Sequence, residues 1–129
     1  LSQMKEGCEF DDTLMFYTYP ATGGHVMATL GASMQLLRAG FHGKAHRHTG
    51  SFIYHVAKGK GYSIVAGKRF DWQEHDIFCV PSWAWHEHVN TSENDDACLF
   101  SFSDLPTMEK LSLYREQALV ENGGHQAII

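Results

Sequence analysis

His46-Arg47-His48 and, further on, Pro81-Ser82-Trp83-Ala84-Trp85-His86 hold the side chains of this chain best suited to chemistry. In an extended strand successive side chains point to opposite faces, so His46 and His48 would share one face and Arg47 the other. Gly40 supplies a bend six residues before His46, and Pro81 opens a second strand five residues before His86. A third imidazole arriving from that later strand would complete a facial set of nitrogen donors and leave up to three positions open on a divalent ion. His46, His48 and His86 are thus the expected metal ligands, with hydrogen-bonded polar core positions as the alternative reading.

Strands are needed to place those rings, and the chain reads as strands. Glycines recur at short intervals, at Gly31, Gly40, Gly43, Gly50, Gly59, Gly61 and Gly67. Between them lie short segments rich in aromatic and β-branched residues, such as 51–56, 62–65, 77–80 and 98–102, a spacing typical of an all-β sandwich or barrel. One helix is predicted over about 105–121. Ser103 or Asp104 would cap it, Pro106 suits its first turn, Leu105, Met108, Leu111 and Leu119 would form its apolar side, and Asn122-Gly123-Gly124 would end it. The tail beyond Asn122 is expected to be mobile. Phe52, Tyr54 and Phe102 read as core aromatics, and Cys79 and Cys98 as small buried apolar residues.

Composition limits the possibilities further. With 129 residues, 43% hydrophobic and 12% aromatic, the chain is expected to be one domain, 1–129, with a substantial core. Ten basic against fifteen acidic side chains give a net charge of -5, which offers no footprint for nucleic acid or an anionic membrane. Nine histidines are the compositional outlier. Three cysteines without a C-x-x-C pair argue against a disulfide framework and for a reducing cytoplasm. No run of 18 apolar residues suggests a membrane span, and the start at Leu1 instead of a methionine reads as a processed or excised chain.

Gly40-x5-His46-x-His48, then Gly59, then Pro81-x4-His86-x3-Asn90, resembles the two motifs of the cupin superfamily, placed here at 40–61 and 75–90. The resemblance implies a double-stranded β-helix, or jelly-roll, barrel. Within cupins, His46-Arg47-His48-Thr49, the run from Pro81 to Asn90 and Phe100-Ser101-Phe102-Ser103-Asp104-Leu105-Pro106 resemble the C-terminal barrel of gentisate 1,2-dioxygenases and of relatives acting on salicylate or 1-hydroxy-2-naphthoate. Tyr19-Pro20-Ala21-Thr22-Gly23-Gly24 and Gly31-Ala32-Ser33 fit the same family. Many cupins add a glutamate after the second histidine, where this chain has Phe52 or Ile53, so an all-histidine site would keep the full charge of its ion. The resemblance implies Fe(II), with Mn, Ni or Zn as other possible ions, and a dianionic aromatic hydroxy acid opened by O2 beside its carboxylate.

Substrate contacts are expected from His88, which shares a face with His86 about 7 Å along the strand. Trp83 would wall the pocket where cupins usually carry glycine, and Arg38 would neutralise a carboxylate. Arg47 is expected to point away from the metal, and His42, His55 and His75 to be ordinary polar positions. Two functions from different classes remain: a gentisate 1,2-dioxygenase-like ring-cleaving enzyme, or a metal-binding cupin module without turnover, such as the accessory half of a bicupin. A homodimer or higher oligomer is expected in either case, because small barrels cover open sheet edges with a partner.

Overall fold

The structure, a computed structural model, describes residues 3–128, with side chains from residue 8 onward. Strands β1 (Gln3–Cys8), β2 (Asp12–Phe16), β3 (Gly31–Leu37), β4 (His46–His48), β5 (Phe52–Lys58) and β6 (Lys60–Val65) precede β7 (Lys68–Gln73), β8 (Ile77–Val80), β9 (His86–Asn90) and β10 (Ala97–Ser103). Helix α1 (Leu105–Lys110) and strand β11 (Glu116–Ala118) follow. Two antiparallel sheets result, with strand orders β1-β2-β3-β10-β5-β8 and β11-β4-β9-β6-β7. They face one another as a jelly-roll barrel, the all-β class expected.

The barrel interior changes character along its length. In β3 the inward residues run Ser33, Gln35, Leu37, and their partners on β10 run Ser101, Leu99, Ala97. On β5 the matching series is Phe52, Tyr54, Val56. Leu37, Val56, Val80, Ala97 and Leu99 therefore close one end with Trp72, burying apolar surface that stabilises the fold by roughly 25 cal/mol per Å². The other end stays polar, and there the histidines sit.

The helix is shorter than predicted. It stops at Lys110 because Ser112 takes a left-handed φ of 57°. Its N–H donates to the carbonyl of Glu109, and that of Leu113 to Met108, which closes the helix in a Schellman turn. Residues 111–121 are thus not helical: Glu116–Ala118 pair with β4, and Leu119 N–H donates to Ala45 O. Leu119 falls at helical spacing only by coincidence, and pairing to β4 overrides the good helix propensity of Glu116, Gln117 and Ala118. Asp104 leads the helix without capping it; its carboxylate instead accepts from Ser51 N–H at 2.8 Å.

The tail is anchored, contrary to expectation. Asn122–Gly124 form a 3-10 turn, Gly124 O accepts from Ala45 N–H, and the Gln126 side chain donates to Ile64 O and accepts from Gly67 N–H. Phe102 lies on the outward parity of β10 and is 43% exposed, and Cys79 on edge strand β8 is exposed, so neither is the core residue expected. Among the described residues no helix is long and apolar enough to cross a membrane.

Candidate metal centre

β4 and β9 are neighbours, and His46 and His86 are directly opposed across them. Alternation puts His48 on the same inward face, while Arg47 points outward as expected. There its guanidinium lies 4.4 Å from the ring centres of both Trp83 and Trp85 and donates to the Gln117 amide oxygen. The three inward imidazoles converge: ring centres of His46 and His86 are 4.5 Å apart, of His48 and His86 4.9 Å, and one nitrogen from each lies within 4.8 Å of the others.

Hydrogen bonding decides which nitrogens face inward. His86 Nδ1 donates to Ala84 O at 3.0 Å and His48 Nδ1 to Thr49 O at 3.3 Å, so each neutral ring keeps its Nε2 lone pair free. His86 Nε2 is buried without a hydrogen-bond partner, and the His46 nitrogens, also buried, have carboxylates no nearer than 3.5 Å. Leaving such groups unpaired costs on the order of 1–3 kcal/mol each, and a cation shared by the three rings removes that cost. The donor set therefore fits a divalent transition ion. Burial lowers the His48 and His86 pKa values and keeps those rings neutral.

His88 belongs to a different network. It is fully buried, and its Nδ1 is 2.7 Å from Ser63 Oγ, which also accepts from Trp72 Nε1 at 3.0 Å. Its Nε2 is likewise buried without a hydrogen-bond partner, but His88 is not one of the three rings whose nitrogens converge. Burial pushes the His88 pKa down to about 4. The unfolded ring, near 6.5, binds a proton first as pH falls, so metal-free protein should lose about 3 kcal/mol of stability between pH 6.5 and 4. Urea unfolding at pH 7.5 and 4.5 tests this, since equal midpoints would contradict a buried neutral His88.

A small cavity of about 80 Å³ opens over His46 and His48, lined also by Asp11, Gln35, Phe52, Tyr54, Tyr114 and Glu116. Two carboxylates flank His46: Asp11 Oδ1 is 3.5 Å from Nε2 and Glu116 Oε1 is 3.5 Å from Nδ1. Burial alone would lower the His46 pKa, but these charges outweigh it and raise the value. Asp11 responds in the opposite sense: burial favours its acid form, yet His46 and the other imidazoles hold it below the usual carboxylate range. Burial and Glu116 raise the Tyr114 phenol, which donates to Glu116 at 3.0 Å.

Trp83, Arg38 and His88 do not line this cavity. Trp83 stacks on Arg47 outside the barrel. Arg38 is bound to the buried carboxylate of Asp12, at 2.6 Å from Nη2 to Oδ1 and 3.0 Å from Nε. The guanidinium expected to neutralise a substrate carboxylate is thus engaged by a carboxylate of the chain itself. Arg38→Ala should destabilise the fold by about 1–2 kcal/mol through Asp12 and leave ligand affinity at the cavity unchanged. Chemical denaturation and a ligand titration check the two halves. Asp11, Tyr114 and Glu116 were missed from the sequence: Asp11 sits in a turn, and the over-long helix concealed the other two.

Two antiparallel sheets closed around inward histidines define the class, a small jelly-roll barrel. The chain belongs to the cupin family, whose cupin domain pattern matches residues 33–103. It is similar to the 5-aminosalicylate 1,2-dioxygenase of Comamonas sp, with 45% identity over 95% of this chain and 32% of that protein. It is also similar to the 1-hydroxy-2-naphthoate 1,2-dioxygenase of Nocardioides sp. (strain KP7), at 33% identity over 86% of this chain and 29% of that one. The crystal structure of salicylate 1,2-dioxygenase from Pseudaminobacter salicylatoxidans superposes with a TM-score of 0.75 at 36% identity, covering 81% of this chain and 29% of the other. The chain thus spans about a third of the length of the curated relatives it matches.

Proposed function

We propose that this chain is a metal-dependent ring-cleaving dioxygenase of the gentisate 1,2-dioxygenase type, with Fe(II) held by His46, His48 and His86. The observation that carries the reading is the convergence of those three rings, with His86 Nε2 buried and without a hydrogen-bond partner, beside a cavity with aromatic side chains in its lining. Similarity to enzymes named for 5-aminosalicylate, 1-hydroxy-2-naphthoate and salicylate supports an aromatic hydroxy acid as substrate. When bound, a divalent iron supplies chelation of the substrate's carboxylate and hydroxyl and activation of O2.

The chain's own residues hold and enclose the reactants. Phe52 and Tyr54 give the cavity aromatic walls, and Leu14, Phe16 and Leu105 help keep it dry. The Tyr54 phenol stays protonated, because burial and then the Asp11 charge raise its pKa. Gln35 donates to Asp11 O at 3.0 Å, which fixes the turn that carries the Asp11 carboxylate. Exposed Cys79 supports a reducing cytoplasm as the working compartment, and exposed Phe70 and Ile77 on outer strands support at least a homodimer.

The test is oxygen uptake by the iron-loaded chain with gentisate, salicylate, 5-aminosalicylate and 1-hydroxy-2-naphthoate. Turnover should consume one O2 per aromatic ring lost and yield a ring-opened product with a new ultraviolet band. A second reading is a metal-binding half of a two-barrel protein. It is favoured by the span of a third of the relatives' length and by a cavity lined with Asp11 and Glu116 and without Lys or Arg among the described residues. That reading expects tight iron without oxygen uptake by the chain alone, and turnover only when a companion barrel is supplied.

A further inference from the structure

Glu87 lies between His86 and His88 on β9, so its side chain leaves the barrel on the opposite side, yet it is only 1% exposed. Two distant segments bury it. His42, from the stretch between β3 and β4, brings Nε2 to 3.2 Å from Glu87 Oε2. His125, just after the 3-10 turn, brings Nδ1 to 3.0 Å from the same oxygen, and Gln126 N–H donates to Glu87 Oε1 at 2.8 Å. The two imidazoles lie 4.2 Å apart between ring centres. Among the described residues, the ion-pair partners of this buried carboxylate are these two histidines.

We infer that His42, Glu87 and His125 form a second metal site, for a divalent ion of the Zn2+ class, on the outer face of β9. One donor atom from each lies within 4.8 Å of the others. A four-coordinate zinc with bonds of about 2.0–2.1 Å holds its donors roughly 3.3 Å apart, close to the 3.2 and 3.0 Å that separate His42 Nε2 and His125 Nδ1 from Glu87 Oε2. Two imidazoles and one carboxylate suit zinc over calcium or magnesium, which prefer oxygen alone. Gln126 N–H fixes the carboxylate from behind, as is usual for ligating carboxylates. His42 and His125 are partly exposed, which leaves the ion a path from solvent. On binding, each neutral ring turns a lone pair to the ion and carries its proton on its other nitrogen, so neither electrons nor protons are lost. The ion would staple the segment before β4 and the C-terminal segment to the strand that supplies His86. The site is independent of any oxygenase activity.

The experiment titrates Zn2+ into the full chain carrying His46→Ala and His48→Ala, which silence the inward site. Calorimetry should report one Zn2+ per chain at micromolar affinity or better, with a rise in Tm on saturation. Adding His125→Ala or His42→Ala should weaken binding about 100-fold or more and abolish the rise. Both rings are partly exposed, so circular dichroism should show the fold retained. Should the doubly substituted chain fail to fold, zinc stoichiometry in the otherwise unaltered chain should fall from two to one on His125→Ala. No zinc bound, or binding unchanged by both substitutions, overturns the assignment.

Discussion

His86→Ala should weaken iron binding at the inward site by at least about 100-fold while leaving the barrel folded. His86 contacts both other rings, and its Nδ1 bond to Ala84 O is what aims Nε2 inward, so no neighbouring side chain replaces it. His88 is tied through Nδ1 to Ser63 and is not among the three rings whose nitrogens converge. The substitution also deletes a buried nitrogen without a partner, which limits the loss of stability. Iron per chain, measured after anaerobic loading in a His125→Ala background so that one site is counted, decides the matter. Unchanged iron content would reject the triad.

Gly61→Ala should unfold the protein or cost about 4 kcal/mol or more, roughly a thousandfold in the folding equilibrium. Gly61 is paired on one side with Trp72 and on the other with Asn90, in the interior of its sheet. A Cβ there would sit 2.0 Å from Val89 O and 2.8 Å from the Trp72 ring. Neither can give way cheaply: the carbonyl belongs to the β9 backbone, and Trp72 is held by its bond to Ser63. Any yielding of β9 also displaces His86, so iron affinity should fall together with stability. A loss below 1 kcal/mol in urea unfolding would contradict this packing.

Much of the inward site was legible because it depends on local rules. Two-residue alternation in His46-Arg47-His48 fixes which face those imidazoles occupy, and it holds in the structure; the strand that carries His86 was foreseen, but it begins at His86 itself, with Pro81 to Trp85 forming a turn in place of its opening. The all-β class followed from short aromatic segments between glycines. What stayed hidden depends on which distant segments meet. Glu116 reaches His46 only because β11 pairs with β4, a non-local choice that outweighs helix propensity. Arg38 looked available until Asp12, buried with a left-handed φ of 56°, claimed it. His42 reads as an ordinary polar position in sequence and gains His125 as a neighbour only where two loops fold over Glu87.

β9 has no apolar side to choose between core and solvent, since all five of its residues are buried. Sliding it by one residue would thrust the Glu87 carboxylate among the imidazoles and leave His86 and His88 outside, so polar chemistry, in place of greasiness, tells this strand how far to travel. Substitution along it is therefore constrained in pairs of faces: neither side can be rewritten alone without the other losing its place.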